Sequence, residues 1–290
     1  MSGSGGAEWP KREPGNRDGE GIWKHYFTTA TDVAAANVHR ARLFVFGVGL
    51  GVNTHLLDRL SGQNGGQSTY VEPGEDIELA VSSFCSKVSS PVLEDLELAL
   101  AGARRFDYYP PQLPDLFRGS QLSQLGRLTG TGSVQVVLSG RVGGQEAVFE
   151  RQLEVGAGGA DFLPRLWATR KVGYLLDEIR LHGEDQELID TIVEISKRYG
   201  IITPYTSFLI VEDEAPPPSV WAGDALRADS GAGAVAASEA VRSYAAADNT
   251  NEVRSAEVRY AGTRTFYLRG GVWQDSQLDV QAPVREYGFG

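Results

Sequence analysis

The stretch Arg42-Leu-Phe-Val-Phe-Gly-Val-Gly-Leu-Gly51 decides the fold class. Its first five residues, Arg42–Phe46, read as a strand that is apolar on both faces, the pattern of a parallel strand covered by helices. Gly47, Gly49 and Gly51 make the turn that follows. Asn53 or Thr54 then stands where a side-chain oxygen can accept from the orphan N–H groups of a helix over Thr54–Leu60. A glycine-rich loop leads to a short strand, Ser68–Val71, and to a helix, Glu75–Val88, whose acidic start suits the positive end of its dipole. An amphipathic stretch, Val33–Arg40, precedes the whole. This βαβα run predicts that residues 23–88 are the closing part of a doubly wound α/β sheet.

Beyond Ser89 the periodicity changes. Pro91–Leu100, Leu122–Leu128, Ser133–Leu138 and Ala147–Val155 read as short strands between Pro- or Gly-bearing turns, which predicts a β-sandwich over residues 89–160. Residues 161–212 read as a helical pair and a returning strand. Asp161 caps the first helix, Phe162–His182, with Pro164 in its first turn and Gly183 at its end. The second, Asp185–Tyr199, sets Leu188, Ile192, Ile195 and Tyr199 on one face and stops at Gly200. The strand is Ile201–Val211. Residues 213–250 read as a linker, stiff through Pro216–Pro218, with an Ala-rich helix at 232–247. Glu257–Tyr260, Thr265–Arg269 and Val272–Gln274 predict a small antiparallel β unit within 251–290, loosely tethered to the rest. Residues 1–22 are too poor in aliphatic side chains to offset chain entropy and read as disordered.

The chain has 290 residues and a net charge of −11, with a pI near 4.9. That length allows about two domains, and the acidic field repels nucleic acid. No apolar run approaches the ~18 residues that cross a bilayer, so membrane insertion is not expected. Cys85 is the only cysteine; it reads as a packed core thiol, since free cysteine behaves as a small hydrophobe.

Candidate chemistry is sparse. The glycine turn, with Glu72 closing the next strand, has the outline of a dinucleotide site with an acid about 20 residues on for the ribose. That fingerprint needs glycines at its first, third and sixth places. Val52 is sixth from Gly47 and Thr54 is sixth from Gly49, so neither register completes it. His25, His39, His55 and His182 show no metal-ligand spacing. Glu178, His182 and Glu184 read as a solvated helix end, with His182 relieving the C-terminal dipole. Arg165, Arg170 and Lys171, followed by Asp177 and Glu178, split one helix into basic and acidic halves, so tertiary partners must fix it. Trp167 and Tyr174, seven residues apart, read as core. No catalytic, cofactor-binding or metal-binding residue is assigned.

Laid end to end, these segments resemble a known family. Ala41-Arg-Leu-Phe-Val-Phe-Gly-Val-Gly, Asn53-Thr-His-Leu-Leu-Asp-Arg-Leu, Tyr70-Val-Glu-Pro-Gly-Glu-Asp-Ile and Val81-Ser-Ser-Phe resemble the closing strands and helices of a von Willebrand factor A domain. Ser89-Ser-Pro-Val-Leu, Leu113-Pro-Asp-Leu-Phe, the run from Phe162 to Leu176, and Tyr199-Gly-Ile-Ile-Thr-Pro-Tyr-Thr-Ser-Phe-Leu resemble the region after that domain in bacterial relatives of inter-alpha-trypsin inhibitor heavy chains (VIT/VWA proteins). Thr265-Phe-Tyr-Leu-Arg-Gly-Gly-Val-Trp-Gln-Asp matches a short C-terminal motif of the same relatives.

The resemblance implies a non-catalytic protein-interaction or adhesion module. In that family a divalent cation is held by Asp-x-Ser-x-Ser, which this sequence lacks. It further implies a fragment of a longer, exported or cell-surface parent. A sheet lacking its central strands would leave an edge open to association, with Leu43–Phe46 the segment most exposed by the loss.

Overall fold

A computed structural model describes residues 29–88, 91–156, 159–206, 223–248, 258–261, 264–269 and 271–276. Residues 1–22, whose composition reads as disordered, His25 and the Pro-bearing linker before residue 219 lie outside them. Helix α1 (29–36) leads into β1 (Val45–Val48), α2 (Thr54–Gly62), β2 (Ser68–Val71) and α3 (Ile77–Val88). β1 and β2 pair in parallel, Val45 opposite Ser68 through Val48 opposite Val71. Among the described residues no third strand joins them. The strand expected over Arg42–Phe46 is displaced toward Val48. Its apolar residues are half-buried: Phe44 and Phe46 meet the Phe84 ring of α3 edge-on at 4.9 and 5.2 Å.

α3 offers only that one contact face, and Cys85 points away from it. The expected core thiol is exposed, because nothing described packs on the outer side of α3.

The strand-rich segment forms β3 (Pro91–Ala101), β4 (Arg104–Tyr109), β5 (Leu116–Phe117), β6 (Leu125–Thr129), β7 (Gly132–Val142) and β8 (Gln145–Val155). It differs from the expected sandwich. β5, β3, β7 and β8 make one curled antiparallel sheet in that order, and β4 and β6 make a separate ribbon. β4, absent from the sequence reading, carries an Arg-Arg-Phe-Asp-Tyr-Tyr run that ends in Tyr109, which is buried in the core.

The core lies among helices. α4 (Leu163–His182) is buried nearly all round, through Leu166, Trp167, Val172, Leu176 and Ile179. α5 (Gln186–Tyr199) adds Ile192 and Ile195. α6 (Gly223–Arg227) adds Ala225 and Leu226, and α7 (Ala232–Ala246) adds Ala237, Val241 and Tyr244. The Ala-rich helix is thus a wall of the core, seated where α4 carries Gly173. A methyl there would strike the Ala245 backbone nitrogen and reach within 2.8 Å of Tyr244 Cβ.

Trp167 and Tyr174 belong to this core, as their spacing predicts. Trp167 stands edge-on to Tyr199 at 6.2 Å, and Tyr174 lies against Tyr109 at 5.3 Å.

Helix ends follow local chemistry in part. Asn53 caps α2 through Leu56 N at 2.8 Å. Asp185 caps α5 through Glu187 N and Leu188 N, and Gly200 closes it at φ 66°. Asp161 does not cap α4: the cap position is Phe162, which makes no side-chain bond there. The strand expected from Ile201 is a turn over its described part. Thr203 N donates to Thr206 Oγ1 at 3.0 Å and Thr206 N to Thr203 O at 3.0 Å. Pro204, between them, has no N–H for a ladder.

β9 (Val258–Ala261), β10 (Arg264–Arg269) and β11 (Val272–Asp275) form the small antiparallel unit. It is docked rather than loosely tethered. Thr265 Oγ1 donates to Arg198 O at 2.9 Å and Tyr267 OH to Ser196 O at 3.1 Å, satisfying carbonyls at the C-terminal end of α5.

Candidate functional site

The densest polar cluster lies where α2, β2, α4 and α7 meet. Asp58 of α2 accepts from Tyr70 OH at 2.8 Å, Ser238 Oγ at 2.7 Å, Ser68 Oγ and Arg180 Nη2. Arg180 also reaches Asp177 Oδ1 at 3.2 Å. Arg242 donates to Ser68 O and stacks over Tyr70 at 5.2 Å from the ring centre. The Arg180 and Asp58 side chains are 2% and 8% exposed. Gly47 belongs to the same packing, since a Cβ there would meet Tyr70 Cδ1 at 2.7 Å.

Burial pushes the Asp58 carboxyl upward, but the Arg180 charge and the donors Ser68, Ser238 and Tyr70 outweigh it and leave it below the usual carboxylate range. Asp177 is held above that range, first by burial and then by the Asp58 charge. Tyr70 is raised by burial and by Asp58. With every lone pair of Asp58 committed to a donor, the cluster is a structural tie between elements far apart in sequence.

Beside it opens a cavity of about 540 Å³ lined by His55, Ile179, Arg180, Leu226 and Arg227 among others. His55 is 3% exposed, and burial together with the Arg180 charge brings its pKa from 6.5 down to about 4. Neutral at ordinary pH, it adds no charge to the cavity.

The glycine turn has structural work as well. Gly49 takes φ 78°. The N-terminus of α2, where a phosphate would sit in a dinucleotide fold, is met by the segment before α7. Thr54 N donates to Asp229 O at 2.7 Å, Asn53 Nδ2 to Asp229 Oδ2 at 3.2 Å, and Gly231 N to Leu50 O at 2.7 Å.

Glu178, His182 and Glu184 do not converge. Glu178 pairs with His182 Nδ1 at 3.1 Å on the α4 surface, whereas Glu184 turns to Arg227 Nη2 at 2.9 Å. Among the described residues no three His, Cys, Asp or Glu side chains come together as metal ligands. The basic half of α4 is fixed by tertiary partners, as its unfavourable dipole arrangement requires. Arg170, 3% exposed, donates to Ala247 O, Ser123 O, Ser123 Oγ and Asp248, and Lys171 clasps both oxygens of Asp107 at 2.8 and 2.9 Å.

The remaining conspicuous feature is β8, the outermost strand of the curled sheet. Val148, Phe149 and Leu153 are 59%, 53% and 54% exposed. Sequence reading placed a strand at Ala147–Val155 but not its position at an edge, because alternation gives a strand and not its neighbours.

No protein-family model matches the chain. It is similar to inter-alpha-trypsin inhibitor heavy chains. The sequence is 27% identical to heavy chain H2 of Sus scrofa over 191 residues, 60% of this chain and 20% of that protein. Against heavy chain H4 of Homo sapiens it is 24% identical over 189 residues, 60% of this chain and 20% of the relative. Against heavy chain H3 of Mesocricetus auratus the figures are 23%, 189 residues, 60% and 21%. The chain thus spans about a fifth of the length of these relatives. No described helix is long and apolar enough to cross a membrane.

Proposed function

We propose that the chain is a non-catalytic protein–protein interaction or adhesion module of the von Willebrand A and inter-alpha-trypsin heavy-chain type, without a metal-ion-dependent adhesion site. The observation that carries this reading is the similarity to the heavy chains across 60% of the chain. Residues 23–88 are read as similar to the closing part of an A domain, and the protein as exported or held at a cell surface.

The test is selection of a random twelve-residue peptide library on the immobilised chain. The reading expects a recurring motif, competed by soluble chain and lost on urea-unfolded chain. No enrichment over the unfolded control would reject it. Micromolar magnesium should leave the melting temperature unchanged; a rise would restore a metal site.

A second reading rests on Gly47, Gly49 and Gly51 as a dinucleotide turn. Against it stands the Asp229 carboxylate at the α2 N-terminus, where it would repel a pyrophosphate. Saturable tryptophan quenching by micromolar NAD would favour that reading. A third, that residues 41–88 fold only against a further chain, predicts fast amide exchange in 41–88 beside slow exchange in 91–206.

A further inference from the structure

β8 is an eleven-residue edge strand whose ladder with β7 runs without a bulge from Val142 opposite Gln145 to Gly132 opposite Val155. Among the described residues nothing pairs with its outer edge. Native edges are usually blunted by proline, bulges, short length or charged side chains; β8 has no proline or bulge and is long, and its charges are Glu146, Glu150, Arg151 and Glu154. Alternate N–H and C=O groups of such a strand point outward, so about five residues present unpaired backbone.

The two faces of β8 differ in character. Because side chains alternate, Glu146, Glu150 and Glu154 share one face with Val148 and Gln152, while Phe149 and Leu153 share the other with Arg151 between them. Cross-strand partners lie on the same face, so Phe149 sits beside Leu138 and Leu153 beside Val134, two apolar pairs separated by Arg151 beside Val136. On the acidic face the neutral Gln135 amide donates to Glu150 at 3.0 Å. Arg141, opposite Glu146, is turned to Gly144 O at 3.1 Å and faces Asp95 at 3.8 Å. Those contacts leave the carboxylate row without a described cation.

We propose that β8 is a strand-addition site for an extended basic peptide segment, with Lys or Arg opposite Glu146, Glu150 and Glu154 and apolar residues opposite Phe149 and Leu153. Main-chain bonds supply affinity and the alternating side chains supply specificity. A second copy is the poorer occupant: symmetric pairing sets one carboxylate row beside another, on a chain already at −11. The proposal rests on the interaction-module reading and names its partner chemistry.

The probe is the blocked nonapeptide Lys-Leu-Thr-Val-Lys-Val-Thr-Val-Lys, with the same sequence carrying Glu for Lys as control. Binding is followed by fluorescence anisotropy and by amide exchange of residues 145–155. The basic peptide should bind, protect those amides and weaken with salt; the acidic one should not bind. Glu146→Gln, Glu150→Gln and Glu154→Gln combined should weaken binding about tenfold, as expected for three exposed ion pairs. These are surface changes, and Phe149→Thr is a second variant that should weaken it through the other face.

Absent binding, or binding that protects another segment, overturns the β8 assignment, as does full affinity in the triple variant. So does a concentration-dependent dimer abolished by Phe149→Thr, which would give the edge to a second copy. Library selection separates the two levels: enriched peptides that protect other segments reject β8 alone, whereas no enrichment rejects the interaction reading itself.

Discussion

His55 makes stability depend on pH in a defined window. Its side chain is 3% exposed, and its pKa falls from 6.5 to about 4 through burial and then the Arg180 charge. Between those values the unfolded chain holds a proton on His55 that the folded chain does not, so stability rises with pH across the window and is lost as pH falls through it. At 1.36 kcal/mol per pKa unit the whole drop is worth roughly 3 kcal/mol, an order-of-magnitude figure. Urea unfolding at pH 7.0, 6.0, 5.0 and 4.5, wild type against His55→Gln, reads it directly.

Wild type should lose stability steadily below pH 6.5, and the variant should lose less. Asp177 and Glu239, both raised by burial, oppose this trend. Their folded forms gain protons ahead of the unfolded chain as pH falls, which is why the difference between the two proteins is the quantity to measure. Asp58, held low, adds its own loss only as pH falls from the ordinary carboxylate value through its depressed one. Parallel pH curves for wild type and His55→Gln would refute the reasoning.

Three further outcomes follow from packing and charge. Asp58→Asn should cost about 3 kcal/mol, since it leaves the buried Arg180 with Asp177 as its one carboxylate partner; adding Arg180→Leu should recover part of that loss, and strict additivity in urea melts would show that the pair is not coupled. Gly173→Ala should destabilise by about 1–3 kcal/mol through overpacking at the α4–α7 crossing, even though alanine favours a helix; an unchanged or raised melting temperature would mean that α7 does not sit against α4. Cys85 should react with a thiol reagent in the folded protein at nearly the rate of the unfolded chain, because it is exposed; protection of tenfold or more would show that the outer side of α3 is covered.

Helices and strands with clean periodicity were legible. α2, β2, α3, α4, α5 and α7 fall within a few residues of their predicted bounds, because each carries its own repeat and stop signal. The caps divide by chemistry. Asp185 bonds the first N–H groups of α5, whereas Asp161 is set back behind Phe162 and reaches none for α4. β4 was not legible, because its Arg and aromatic residues alternate weakly and gain their role from Trp167, whose Nε1 donates to Asp107 O at 2.7 Å.

The sequence by itself determined the acidic balance, the βαβα opening, the helical pair and the resemblance carried by long collinear motifs. All of these depend on composition or on residues close in the chain. Tertiary structure alone decided that Asp58 meets Ser238 across 180 positions, that the Ala-rich helix walls the core against Gly173, that Cys85 is exposed, and that β8 is the edge of its sheet among the described residues. Each of these turns on which surfaces meet in space. A local hydrophobic period cannot state that, because it says which face of an element is apolar and not what, if anything, comes to cover it.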